Sequence, residues 1–147
     1  MSHVRQQIRE AFGSACTGLS STGSNVFQSR SYPLEAADLP ALCVFTLAET
    51  ADDLEIGGSG RLLTRILPVK IEGYARAATN IDDTLDTIAS EVETAVANSS
   101  TIDSLITDME LSSTDVSFTE GDREIGVITL DFAVVYTTTF NDPQTAK

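Results

Sequence analysis

Two stretches of the chain repeat apolar residues at helical spacing. In residues 3–16, Val4, Ile8, Phe12 and Cys16 fall on one face. Residues 80–97, "NIDDTLDTIASEVETAVA", begin at Asn80, a suitable N-cap residue, and carry aspartates in the first turns, where the helix dipole favours negative charge. The apolar stripe of this second stretch consists of Ile81, Leu85, Ile88, Val92 and Val96. The pattern predicts two main helices.

Five other stretches favour β-strands. "VFQSR" is short, and "ALCVFTL" (41–47) is nearly all apolar, which is typical of a central strand covered on its faces. "RLLTRILPVKIEGYAR" (61–76) alternates in part and contains Pro68, which cannot donate to a ladder and so predicts a sheet edge or a bulge there. "MELSSTDVSFTEGD" predicts a strand before a turn, and residues 124–140 alternate strictly.

The predicted order α-β-β-β-α-β-β defines an α+β fold, a two-layer sandwich of two main helices on one mostly antiparallel sheet. A chain of 147 residues can bury one core and is too short to divide comfortably, so residues 1–147 are expected to form a single domain. The closing residues "NDPQTAK" (141–147) predict a frayed tail.

The connection at 48–60 is longer than a usual hairpin loop, and loops of this length are functional, or disordered until they are bound. Mutually repelling carboxylates and pliable glycines predict a mobile arm that reaches about 20 Å from the sheet. Its members are Glu49, Asp52, Asp53, Glu55, Gly57, Gly58 and Gly60. We interpret it as an assembly loop that becomes ordered on contact with another protein; the alternative is an idle loop.

The formal net charge is −13, and residues 31–60 and 77–122 contain no Lys or Arg. Binding to a phosphate backbone needs clustered cations, so nucleic-acid recognition is not expected. The acidity serves solubility, or makes a surface to which nucleic acid does not adhere. No stretch has the length and apolar character of a membrane span or of a secretory signal, which predicts synthesis in a cytoplasm. There, Cys16 and Cys43 are expected to be buried free thiols.

No motif indicates catalysis or a cofactor. The single histidine, His3, is near the start of the chain, so a nucleophile has no obvious base beside it. The glycine cluster fails the dinucleotide-binding pattern because Leu63 stands where the third glycine belongs. A weak cation site at Asp52, Asp53 and Glu55 fits known calcium loops poorly. We therefore expect no enzyme, no cofactor and no metal, with a small cytoplasmic ligand- or cation-binding domain as the alternative.

The middle of the chain resembles the lambda-type tail terminators, the minor tail protein U-like family of long-tailed phages. The similarity rests on a short Val-Phe strand, Arg30, the segment "DLPALCV" (38–44), the acidic loop and the long strand that follows. The N-terminal helix, the Asp-rich helix and the closing "LDFAVVYTTTF" strand come in the same order, so the resemblance covers nearly the whole chain.

The resemblance implies a structural virion protein without catalysis, made in the host cytoplasm and placed at the head-proximal end of the tail. It implies a homohexameric ring that caps the tail tube, stops tube polymerisation, meets the head-completion or neck proteins and lets DNA pass without specific binding. The cations expected to meet the acidic surface of a neighbouring copy are Arg30, Arg61, Arg65, Lys70 and Arg76. A head-side neck or tail-completion connector is the closest alternative.

Overall fold

The computed structural model describes residues 2–28, 39–53, 60–76, 80–119 and 125–147. The helices are α1 (Val4–Ala15), α2 (Ile81–Ala97) and α3 (Ser100–Leu105). The strands are β1 (Val26–Phe27), β2 (Ala41–Thr46), β3 (Thr50–Asp53), β4 (Leu62–Ala75), β5 (Asp108–Thr119) and β6 (Ile125–Thr139). Of the predicted sites, Arg30, Glu55, Gly57 and Gly58 lie outside the described residues.

The strands form one sheet in the order β1-β2-β4-β6-β5, and β3 pairs with β4 beside β2. Among the described strands, only β1 and β2 pair in parallel. The α+β class is confirmed, with two elements more than the predicted order: strand β3 and the short helix α3. In particular, residues 50–53 of the predicted loop are a strand, which shortens the connection to β4.

The described helices pack on one face of the sheet. The predicted stripe of α2 is confirmed, since Leu85, Ile88, Val92 and Val96 are buried and Ile81 packs against them. From the sheet, every second residue of β4 from Leu67 to Ala75 and of β6 from Ile128 to Thr138 points into this core. Cys16 and Cys43 are buried free thiols, as predicted, and burial raises the pKa of Cys43 to about 11.

Pro68 lies in the middle of the sheet, which corrects the prediction that it marks an edge or a bulge. It pairs with Ala133 of β6 on one side. On the other side, β2 ends its pairing opposite Val69 and β3 begins opposite Ile66. Pro68 faces the gap, and its carbonyl accepts a hydrogen bond from the Leu47 amide at 3.0 Å. The missing N–H therefore costs no ladder bond, because the neighbouring chain is interrupted at that point.

The C-terminal segment is tied to the domain, which corrects the prediction of a frayed tail at 141–147. The carbonyl of Pro143 accepts from the Val4 amide at 2.9 Å, and the amide of Lys147 donates to the Thr137 carbonyl at 2.8 Å. Ala146 packs against the core. Unpaired amides at the start of α1 need acceptors, and the tail supplies one.

Strand β5 contains a β-bulge between Leu111 and Ser113. Before the bulge Leu111 lies opposite Phe132, and after it Phe118 lies opposite Gly126, both on the helix side of β6. Without the extra residue, these two apolar side chains would point to opposite faces, because one is odd-numbered and the other even-numbered. The bulge thus places the apolar residues of β5 on a single face.

Helix α2 packs directly against two glycines of the sheet, Gly73 and Gly126. A Cβ atom at Gly73 would lie 2.8 Å from Cγ2 of Ile88 and 3.2 Å from Cγ2 of Ile128. We predict that Gly73→Ala lowers the free energy of unfolding by about 1–3 kcal/mol, because the packed core cannot take an added methyl without shifting. Urea denaturation measures the change. Gly60→Ala is the matched control, since no atom lies within 4 Å of its added Cβ; equal stability of both variants would contradict the prediction.

Candidate assembly surfaces

The four described cations of the predicted contact set do not form one patch. Arg61 precedes β4 and Arg76 follows it, so about 45 Å of strand separates them. Arg61 lies over the ring of Phe140 at 3.9 Å. Lys70 reaches Asp131 on the face of the sheet away from the helices, at 3.8 Å. Their roles as subunit contacts stay predictions, and they would act at separate places.

Arg65 belongs to a network at the root of the acidic loop. Its Nη1 lies 3.1 Å from Oε2 of Glu49 and its Nε donates to Oγ1 of Thr138 at 3.1 Å. The hydroxyl of Tyr136 donates to the other oxygen of Glu49. Both members of the ion pair are only 12% exposed. We call Glu49, Arg65, Tyr136 and Thr138 the Glu49 network. It joins the segment before β3 to strands β4 and β6.

The Glu49 network fixes a carboxylate that the sequence assigns to a mobile arm. Burial and the hydrogen bond to Glu49 raise the pKa of Tyr136, which keeps its hydroxyl protonated and able to donate. Of the other arm residues in the described chain, Asp52 is exposed on β3 opposite Thr64, and Gly60 is exposed just before β4. Glu49 thus anchors the base of the arm. The role of the arm in assembly stays a prediction.

An open groove of about 540 Å³ lies beside the Glu49 network, between the first turns of α1 and strand β2. Its charged and titratable lining residues are His3, Arg5, Arg9 and Glu49. His3 is the N-cap of α1, and its Nδ1 accepts from the Arg5 amide at 3.0 Å. The sequence pattern did not single out this groove, because its residues come from segments about 40 positions apart.

A second surface runs along β5, the edge strand of the sheet. Its helix-side residues Leu111, Val116 and Phe118 are 38%, 40% and 47% exposed, because the helices cover β4 and β6 but not β5. Within the described residues, β5 pairs only with β6, so its outer backbone edge is open. We call these three side chains the β5 strip. A signal for it was present in the sequence, in the apolar residues at 109, 111, 116 and 118, whose phase changes at the bulge.

Among the described residues, there is no group of three or more His, Cys, Asp or Glu side chains that could hold a metal ion. In the same part of the chain, no helix combines the length and the apolar character that spanning a bilayer requires. What the structure does present is two separate surfaces suited to protein contact.

A family model described as phage minor tail protein U matches residues 2–136. The chain therefore belongs to the phage minor tail protein U family and is a structural protein of the phage tail, part of the virion. No curated protein matches the sequence. Among solved structures, a chain from the virion of a native gene transfer agent particle is similar over 90% of this chain and 91% of its own, at 14% identity and a TM-score of 0.44.

We predict that Tyr136→Phe lowers the free energy of unfolding by about 1–3 kcal/mol, because Glu49 loses a donor in a nearly closed site. Urea denaturation measures the effect. In a double-mutant cycle with Glu49→Ala, the two changes should be strongly non-additive, since each removes one partner of the same hydrogen bond. Additive losses would contradict the proposed coupling.

We expect His3 to make the stability of the protein sensitive to mild acid. Burial, and then the positive charge of Arg65, lowers its pKa from the ordinary 6.5. The unfolded chain therefore binds a proton on His3 more readily than the native state does, so stability is lost as the pH falls below 6.5. We predict a smaller fall in Tm between pH 7.5 and 5.5 for His3→Asn, which keeps a capping side chain but cannot titrate. Equal falls in both proteins would contradict this assignment.

Proposed function

We propose that the protein closes the finished tail tube of a long-tailed phage as a homohexameric ring. In this role it stops tube polymerisation, offers its other face to the head-completion or neck proteins, and lets the genome pass through. It acts by shape and charge at the head-proximal end of the tail, without catalysis and without a cofactor. The family match over residues 2–136 provides the context for this role.

The exposed β5 strip is the observation that supports ring formation most directly. Three large apolar side chains on the core side of the sheet, next to an open strand edge, need a cover that their own helices do not give. The other edge of the sheet is different. It is formed by the short β1 next to β2, and α1 packs beside β2. Two unlike edges favour a head-to-tail contact between copies, and such contacts form a ring when the rotation between successive copies closes.

The charge of the chain supports passage of DNA. Residues 80–119 contain no Lys or Arg. The exposed carboxylates of this stretch are Asp82, Asp83, Asp86, Glu93, Asp103, Asp108, Glu110 and Asp115. Carboxylates of this kind at the lumen of a ring repel phosphates within a Debye length of about 8 Å. The duplex then slides through without binding to the wall.

Ring formation can be tested on the purified protein, with and without the tube protein, by native mass spectrometry. We expect a hexamer in at least one condition. Phe118→Asp should weaken assembly by at least about tenfold, since covering a phenylalanine contributes about 1.5–3 kcal/mol. Ser117→Asp is the matched control, because Ser117 is exposed on the other face of the same strand, opposite Val127. Normal assembly of Phe118→Asp, with an unchanged Tm, would refute the role of the β5 strip.

The terminator role has its own test in the phage. Deletion of the gene should give tails of abnormal length, and the wild-type chain supplied in trans should restore them. Tails of normal length that fail to join heads would instead identify a head-side connector. Stoichiometric binding of a small ligand or cation by a persistent monomer in calorimetry would support the ligand-binding alternative.

A further inference from the structure

We propose that the groove between α1 and β2 is a carboxylate-binding site, and that its occupant is Glu110 on the β5 edge of a second copy of this chain. The inference rests on the proposed ring and names one contact that would close it. It assigns a role to Arg5 and Arg9, which neither the sequence pattern nor the family match singles out.

Arg5 and Arg9 lie one turn apart on α1 and both line the groove. Like charges at this spacing weakly destabilise a helix, so an anion nearby would stabilise the pair. In the described part of the chain, Arg9 has no hydrogen bond or ion pair, and Nε atoms of both arginines are buried without an acceptor. Arg5 uses only one terminal nitrogen, which donates to the Thr46 hydroxyl at 3.3 Å and the Leu47 carbonyl at 2.8 Å.

Glu49, the one carboxylate among the described lining residues of the groove, does not neutralise these arginines. Both oxygens of Glu49 are already engaged, one by Arg65 and the other by the Tyr136 hydroxyl. His3 uses Nδ1 as an acceptor, so in its neutral form Nε2 carries the hydrogen and is a donor. The described lining of the groove therefore presents an excess of donors and of positive charge, which favours an anion. A carboxylate held by guanidinium groups forms strong, charge-assisted hydrogen bonds.

The layout of the sheet indicates where such a carboxylate comes from. The groove lies on the β1–β2 side of the sheet, and β5 forms the other edge. A head-to-tail contact brings the β5 edge of one copy toward the β1–β2 side of the next. Of the three acids on β5, Asp108 and Asp115 each accept from the amide of the following residue. Glu110 is exposed and, in the described chain, free of hydrogen bonds and ion pairs, which makes it the available one.

A nucleic-acid phosphate is the weaker candidate for the groove. Two arginines in a chain of formal charge −13 cannot offset the repulsion between the rest of the protein and a duplex. A carboxylate on an otherwise acidic protein surface has the same difficulty at long range. However, Glu110 is the chain neighbour of Leu111 on β5. Its side chain lies on the face of the strand opposite the β5 strip, since Glu110 pairs with Ala133, so the apolar contact of the strip holds the two copies together on one face while the ion pair forms on the other.

A charge-exchange experiment tests the contact in the full chain, under the conditions in which the wild type assembles. We expect Arg9→Glu to reduce ring formation by more than about tenfold, because it sets two carboxylates against each other. Glu110→Arg alone should weaken assembly as well, and the double variant Arg9→Glu/Glu110→Arg should recover it. Lys147→Glu makes the same change of charge at an exposed position outside the groove and should assemble normally. Circular dichroism melts establish that each variant is folded.

The outcomes separate this inference from the proposed function. If the wild type forms rings and Arg9→Glu forms them equally well, the carboxylate site is refuted and the ring stands. If Arg9→Glu disrupts rings and the double variant does not recover, Glu110 is the wrong occupant and the inference fails. Retention of a short DNA duplex by the wild type, lost in Arg9→Glu, would assign the groove to phosphate instead. If the wild type never assembles, even with the tube protein, both proposals fall together.

Discussion

The pairing of β4 with β6 over fourteen residue pairs is the constraint on which the rest of the structure depends. It sets which residues of both strands enter the core and which face outward. At one end it brings Gly73 opposite Ile128, where α2 packs closely on the sheet. At the other end it brings Arg65 opposite Tyr136, and this pair receives Glu49 from the neighbouring segment. One ladder thus serves both the apolar core and the polar network.

The two halves of the ladder use the same face for different purposes. Toward the 75/126 end, the helix side of the sheet holds only apolar side chains and glycine, and the helices lie against it. Toward the 62/139 end the same side carries Arg65, Tyr136 and Thr138, and the first turns of α1 lie near with their arginines. The β4–β6 ladder therefore has an apolar half, which packs in the core and stabilises the fold, and a polar end, which lies beside the groove.

Periodicity could predict the parts of the fold that depend on one segment at a time. The stripe of α2, the alternation of β6 and the burial of Cys16 and Cys43 are all local patterns, and the structure has them. What could not be predicted depends on a partner strand. Pro68 reads as an edge residue until the interruption between β2 and β3 opposite it is known. Residues 50–53, with two aspartates, have weak strand propensity and form β3 only because β4 extends beyond β2.

The candidate site shows the same division. The acidic loop could be predicted from its composition. The ion pair and hydrogen bond of Glu49 could not, because they depend on where the fold places Arg65 and Tyr136. The groove of Arg5 and Arg9 could not be predicted, since β2 reaches α1 only in the tertiary structure. The β5 strip was missed because its apolar positions change from odd to even numbers, and a single-phase search for alternation passes over them. The bulge brings the apolar residues of β5 back to one face, and it depends on how β5 pairs with β6.

The same bulge has a consequence for how the protein survives before it is incorporated. A long, regular edge strand with apolar side chains is a template for endless stacking of identical chains into fibrils. An inserted residue strengthens the local twist, and the aspartates and the glutamate along β5 repel an identical strand laid beside it. Fibril growth by like-on-like addition is thereby discouraged. An edge strand protected in this way resists self-association even at high concentration in the infected cell. Its apolar residues stay available to bind a partner surface.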